Sequence, residues 1–533
     1  MQDRGEANNM KSNFFKYVFG IFVVGIMIFA IYKIKTEEEV TKQEQTHVST
    51  EEQKITEITL GVASFDSTNP ILSHNKNIQD VSRLIYEPLF NLTQDYKLES
   101  CLAQEWAKQD STTYIIKLKD NVRWSNGEKF VADDVKFTIE KLKSVDSIYT
   151  SNVQNIANIE ITDDYTLKII LDKEIPFFEY NLVFPIMSSS FYLDKEFNEG
   201  IVPIGTGMYK YSDVQSTHLV LVKNNNWWNT KTNLTLNKIT INLYSSLAEL
   251  YNSFKMGNID IVATDNSNLQ DYIGTIGYAK KEMKGREHVF ISLNMANTLL
   301  SRQEVRKAIS YSIDKTNITS SIFNNNYYTS DFPLDYGNWL YSNQNASAGY
   351  NPEQAKQLLT DAGWVYRNGY WQKTENYKTV RLILNLAVKA SDSTMVNVAQ
   401  NIKSQLGSQG INVNIVQLQD NDYYNSINSK NYDMVLCGIN LSLSPSLETF
   451  FGVNNMANYS NDEVNNILNE VKNTTDENTL IDRYKRLAEI YRDDVPYISL
   501  YNNKFTVAYS TGLIGDVTPN WFNIFYNISG WYK

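Results

Sequence analysis

From Ile55 onward, short runs of β-branched and aliphatic residues alternate with stretches whose apolar positions recur at helical spacing. Thr59-Leu60-Gly61-Val62 predicts a strand, and so do residues 113–119, 166–171, 411–416 and 434–436. Val135, Ile139 and Leu142 fall on one helical face, with Asp133 ahead of them as the expected N-cap. Val305, Ala308, Ile309 and Ile313 mark a second helical stripe. Asn351-Pro352 opens a third helix with a capping residue and a first-turn proline; Ala355, Leu358, Leu359 and Ala362 line its apolar face, and Gly363 ends it. The pattern is that of a mixed α/β protein with more than one sheet.

Ahead of this body the pattern changes twice. Residues 17–32 are apolar without a charge, with Lys11 and Lys16 before them and Lys33 and Lys35 after. With Phe14, Phe15 and snorkelling lysines the run reaches the length of a membrane span. No small-x-small cleavage site follows it, so an uncleaved signal-anchor helix over residues 1–35 is expected. Residues 36–54 are rich in Glu, Lys, Gln, Thr and Ser, which predicts a solvated, flexible tether.

Composition narrows the function. The formal net charge of −11 argues against a nucleic-acid surface, which needs clustered Lys and Arg. The 35 tyrosines and 9 tryptophans exceed what is usual, and serve either a core or a cleft that sandwiches varied ligands. Cys101 and Cys437 fit neither a redox pair nor a metal knuckle and are expected to be free thiols. His47, His74, His218 and His288 are not at ligand spacing, so no metal site is expected. No GxSxG, HExxH or phosphate-cradling GxxxxGK[ST] occurs, so neither an enzyme nor a resident cofactor is expected.

Several short motifs stand in a fixed order. They are Asp66-Ser67-Thr68-Asn69-Pro70, Tyr86-Glu87-Pro88-Leu89-Phe90, Trp124-Ser125-Asn126-Gly127-Glu128 and Pro203-Ile204-Gly205-Thr206-Gly207-Met208-Tyr209. Trp227-Trp228, Phe254-Lys255-Met256-Gly257-Asn258-Ile259-Asp260, Val305-Arg306-Lys307-Ala308-Ile309 and Asp493-Asp494-Val495-Pro496 follow. Order and spacing resemble solute-binding protein family 5, the extracytoplasmic receptors of ABC importers for oligopeptides, dipeptides, nickel and some sugars. Gly205 and Gly207 are expected to supply close-packed turn backbone, Trp106 and Trp124 to be core, and Arg306 and Asp314 to form ion pairs.

The resemblance implies a periplasmic-binding-protein-like, two-lobed α/β fold with an extra third domain (class II, oligopeptide-binding type), preceded by the N-terminal transmembrane helix. Lobe one is expected over 55–86, 186–285 and 490–533, the extra domain over 87–185 and lobe two over 286–489. It implies a monomer on the extracytoplasmic face of the cell membrane, which binds a peptide-like solute between its lobes and hands it to permease and ATPase subunits. A ligand-sensing receptor, or a receptor for a sugar or metal chelate, is the alternative. Family members often carry a lipid on a cysteine just after the signal; here the first cysteine is Cys101.

Peptide-binding members carry a "G-W-x-x-D-x-x-x-P" stretch whose aspartate pairs with the peptide ammonium. The matching text is Cys437-Gly438-Ile439-Asn440-Leu441-Ser442-Leu443-Ser444-Pro445, which lacks both the tryptophan and the aspartate. By this resemblance the ligand contacts are Cys437, Gly438, Ile439, Asn440, Leu441 and Ser442, joined by His74, Asn75, Asn294 and Trp339. Glu448 is one carboxylate that would replace the missing aspartate.

Overall fold

The computed structural model describes residues 25, 27, 28, 30, 31, 33, 56–192, 195, 202–266, 269–274, 276–341 and 346–533. The chain divides into two compact units, residues 1–55 and 56–533. In the first, the six described residues are helical and exposed. Most of the expected anchor and all of the expected tether lie outside the described residues. Among the described residues, no helix is long and apolar enough to cross a membrane.

The second unit is built on an 11-stranded mixed sheet. Its main path runs Asn412–Leu418, Ile383–Lys389, Met434–Asn440, Tyr278–Leu293, Tyr497–Ser510, Ile261–Thr264, Glu57–Ala63, Lys238–Tyr244, His218–Lys223, Tyr209–Val214. Two of these strands are far longer than the rest: Tyr278–Leu293 and Tyr497–Ser510, which pair antiparallel. Residues 278–284 pair with 504–510, beside Ile261–Thr264; residues 288–292 pair with 497–502, beside Met434–Asn440. Between the two halves, at Lys284 and His288, the register breaks. The break falls where the sheet passes from one lobe to the other, and a bulge there bends and twists the ladder. Gly285 stands in it, where a Cβ would lie 2.0 Å from the Asn503 side chain.

The lobe containing Met434–Asn440 shows why its strands read as unbroken apolar runs. Alternate residues point to opposite faces, and both faces are covered. Val289, Ile291, Leu384, Leu386, Val388, Met434 and Leu436 enter one core with the helix Ser393–Ser408. Phe290, Ala387, Val435 and Cys437 enter another with the helix Glu477–Asp494. A third and larger core joins the other lobe to a four-stranded sheet, Ala103–Lys108, Thr113–Leu118, Thr166–Leu171 and Ile156–Asp163, covered by the helix Ala132–Leu142.

Several local expectations are refined. Asp133 is not the cap: the helix starts at Ala132, and the Asp134 carboxylate accepts from the Val131 N–H at 3.0 Å. Asp134 also accepts from Trp124 Nε1 at 3.1 Å, which explains a fully buried tryptophan beside a buried carboxylate. Trp106 is only half-buried. Arg306 donates to the carbonyls of Asp494 (2.7 Å) and Leu300 (2.9 Å) rather than into an ion pair, and Asp314 caps the helix Lys315–Phe323. Gly205 and Gly207 press against the 84–85 backbone; a Cβ on Gly205 would lie 1.8 Å from the Ile85 carbonyl oxygen. Both cysteines are buried free thiols.

Candidate functional site

The strand Met434–Asn440 leaves the core partway along its length. Met434 through Cys437 are buried, and Gly438 and Asn440 are exposed. Its parallel neighbour Ile383–Lys389 pairs only with Met434 and Val435. Beyond that point one backbone edge carries no partner strand among the described residues, while the other edge stays paired to residues 287–292. An unpaired edge of main-chain donors and acceptors is the feature that accepts an extended chain.

The continuation of this strand opens onto a cavity of about 880 Å³. Asn440, Leu441, Ser442 and Leu443 line it together with Arg83, Tyr149, Asn152, Tyr180 and Asn181. The carboxylates that reach this space are already paired. Glu448 meets Lys472 at 2.8 Å and Glu174 meets Lys108 at 3.0 Å. Glu448 therefore does not offer a free carboxylate in place of the aspartate the segment lacks.

Arg286, at the register break, fixes the position of this segment. Its Nη1 lies 2.8 Å from Asp335 Oδ2, with both side chains buried. Its Nε donates to the Leu441 carbonyl at 2.8 Å and Nη2 donates to the same oxygen, while the Leu441 N–H donates to the Arg286 carbonyl at 2.9 Å. The guanidinium also lies over the rings of Trp521 (5.1 Å) and Tyr96 (6.0 Å). Leu441 thus has no free backbone group, and the exposed residues on either side of it, Asn440 and Ser442, carry whatever main-chain contacts the segment makes. Burial pushes the Asp335 carboxyl up and the facing guanidinium pulls it back. Two residues further on, His288 is buried with Ser499 Oγ 3.2 Å from its Nε2, and burial lowers its pKa to about 3, so the imidazole is neutral.

The other residues singled out from the sequence are scattered. His74 is exposed and stands 3.7 Å from Asp146. Asn75 caps the helix Lys76–Ser82 and donates to the Ala63 and Ser64 carbonyls, which is a structural task. Asn294 follows the end of the strand Tyr278–Leu293, bonded to the Lys430 and Tyr432 carbonyls and lining a separate polar cavity of about 690 Å³. Trp339 donates from Nε1 to Tyr180 Oη at 3.2 Å and from its backbone to Asp95 at 2.8 Å. It bridges to the four-stranded unit and lines a smaller cavity of about 270 Å³ next to the first, with which it shares Tyr180. Cys437 is held against Tyr423 Oη at 3.5 Å, and burial raises its thiol to about 12, so it offers a ligand no thiolate. Arg286, Asp335, Arg83 and Tyr180 were not found from the sequence: Asp335 lies in a loop, Arg83 at a helix end, Tyr180 in a short 3-10 helix and Arg286 inside the long strand Tyr278–Leu293, and hydrophobic periodicity does not mark the partners of a polar residue at any of these places. Among the described residues, no group of His, Cys, Asp and Glu is arranged to hold a metal ion.

Two lobes joined by paired long strands, with an open strand edge and a cavity beside the join, define a solute-binding receptor. Residues 97–461 match the family model for bacterial extracellular solute-binding proteins, family 5 (middle region), and the chain belongs to that family. Its members deliver solutes to the permease and ATPase subunits of ABC importers. The chain is 24% identical to heme-binding protein A of Haemophilus influenzae, over 86% of this chain and 88% of that protein. It is 22% identical to the oligopeptide-binding protein AppA of Bacillus subtilis, over 87% and 89%. The solved structure of HbpA2 from Haemophilus parasuis superposes with a TM-score of 0.76 at 20% identity, covering 88% of this chain and 98% of that one.

Proposed function

We propose that this chain is the extracytoplasmic receptor of an ABC importer and that its solute is an oligopeptide or a peptide-like molecule. In this reading residues 1–35 hold it at the membrane and residues 36–54 let the body search for its permease. The lobes divide at residues 55–86, 186–285 and 490–533 against 286–489, with 87–185 as the extra domain. The observation that carries the peptide assignment is the unpaired backbone edge after Val435, which leads into the cavity of about 880 Å³. Such an edge recognises main chain without reading side chains. A relative, AppA, is named for binding oligopeptides.

Closure around the solute follows from differential affinity: a ligand that touches both Asn440–Ser442 and the Tyr149–Asn152 side stabilises the state in which they face each other. The test is thermal unfolding of residues 54–533 with pools of di- to decapeptides. A binding pool stabilises by about 2.7 kcal/mol when present at about a hundredfold its dissociation constant. Stabilisation by sugars or metal chelates but by no peptide pool would overturn the peptide assignment and keep the receptor.

A further inference from the structure

The smaller cavity, about 270 Å³, contains a carboxylate that no other part of the structure uses. Glu179 lines it, in the short 3-10 helix Phe178–Leu182. Among the described residues no ion pair and no hydrogen bond from another residue reaches Glu179; its own backbone N–H points at it, and the Lys108 charge acts on it from a distance. The three lysines that also line this space each pair with another group, and Lys97 Nζ lies 5.0 Å over the Trp339 ring. Lys97 pairs with Glu477 at 2.6 Å, Lys472 with Glu448 at 2.8 Å, and Lys108 with Glu174 at 3.0 Å and the Lys472 carbonyl.

Five aromatic residues line the same cavity: Trp106, Tyr114, Phe177, Tyr180 and Trp339. Trp106 stacks on Tyr114 with ring centroids 6.0 Å apart. Phe177 meets Tyr180 edge-on at 5.9 Å and Tyr484 at 6.4 Å. Phe177 is held in the left-handed region at φ 55, ψ 38, a conformation that costs a bulky residue about 1–2 kcal/mol. The surrounding packing holds it there, and the result is a ring on the cavity wall.

A carboxylate without an ion pair, on the wall of a cavity that aromatic rings also line, is matched by a cation with apolar shoulders. We propose that this cavity is the subsite for an ammonium group of the solute, with Glu179 as its counter-ion. It supplies from the four-stranded unit the negative charge that the Gly438–Pro445 segment lacks. The proposal deepens the receptor reading and rests on it for its consequence, since it names one chemical group of the captured molecule. Committed cations at the rim favour an ammonium on a flexible arm, which reaches past them, over a bulky dication.

The test uses n-butylammonium as probe and its neutral counterpart 1-butanol, followed by saturation-transfer NMR on residues 54–533, on the alkaline side of neutrality. Glu179→Gln keeps the shape and removes the charge. The expected result is saturable binding of n-butylammonium to the unaltered protein, weaker by about tenfold or more for Glu179→Gln, and a response to 1-butanol that is the same in both. Equal binding of the amine to both proteins, or no saturable binding, would overturn the assignment. The amine is too small to need closed lobes, so that failure leaves the receptor reading untouched. Conversely, a protein that binds the amine through Glu179 but is stabilised by no solute pool keeps the subsite and loses the peptide assignment.

Discussion

Replacing Arg286 with methionine removes the one charge that compensates Asp335 in the interior of the join between the lobes. The two side chains are 3% and 7% exposed and 2.8 Å apart. Breaking a buried pair by deleting one partner costs about 3–5 kcal/mol, because the remaining charge is stranded. Two donors to the Leu441 carbonyl go as well, which adds about 1 kcal/mol or more for an acceptor left without a partner. Urea unfolding near neutral pH is expected to show a loss of about 4–6 kcal/mol for Arg286→Met. The loss shrinks in acid, since burial already raises the Asp335 carboxyl and the protonated acid needs no counter-charge. The double variant Arg286→Met, Asp335→Leu is expected to be more stable than Arg286→Met alone, giving a coupling of about 1 kcal/mol or more. A single variant within about 1 kcal/mol of the unaltered protein, or strictly additive effects, would refute the claim that this pair organises the join.

Three further outcomes follow from the packing. Desolvation raises the half-buried Glu179 carboxyl to about 7 from the ordinary 4.5, so the folded state holds its proton more tightly than the unfolded chain does. Its contribution to stability is therefore complete below 4.5 and lost as pH rises through 7, despite Lys108, Lys97 and Lys472 nearby and with Tyr114 and Tyr180 neutral. Glu179→Gln should flatten that slope in the difference between variant and unaltered protein and stabilise by about 1–3 kcal/mol in mild alkali, read from urea unfolding at stepped pH; an unchanged slope would refute it. Gly205→Ala places a methyl against the Ile85 carbonyl and should cost about 3 kcal/mol or more, visible as a lowered melting temperature; a cost under about 1 kcal/mol would contradict the close approach. Glu87, buried, accepts from Trp227 Nε1 at 3.0 Å and Trp228 Nε1 at 2.8 Å; Glu87→Leu strands both donors and should cost about 1–3 kcal/mol each by the same assay.

Much of the fold was legible because period-2 and period-3.6 patterns are imposed by burial. Residues 166–171 form the strand they predict, and Asn351 caps the helix Pro352–Asp361 as expected. The helix start at residue 132 was misplaced by the sequence, because Asp133 and Asp134 both suit a first turn and only the tertiary neighbours Trp124 and Ser189 select Asp134. The site was less legible. Asn440 to Ser442 line the cavity of about 880 Å³, on a segment that the order of motifs located. Glu179 lies in a single 3-10 turn behind a left-handed phenylalanine, a conformation that side-chain periodicity does not reveal. Arg286 is followed by residues that alternate normally, and nothing in the text marks the register break that makes it a hub. Asn294 and Asn75, expected as ligand contacts, serve backbone carbonyls.

The most direct measurement is native mass spectrometry of residues 54–533, purified without denaturation and then mixed with a di- to decapeptide pool, with fragmentation of every bound mass. The account predicts a ladder of one-to-one complexes whose bound masses fragment as peptides with free amines, and their depletion in Glu179→Gln. Only the unliganded mass at every pool concentration, or a bound non-peptide mass that no peptide displaces, would contradict it.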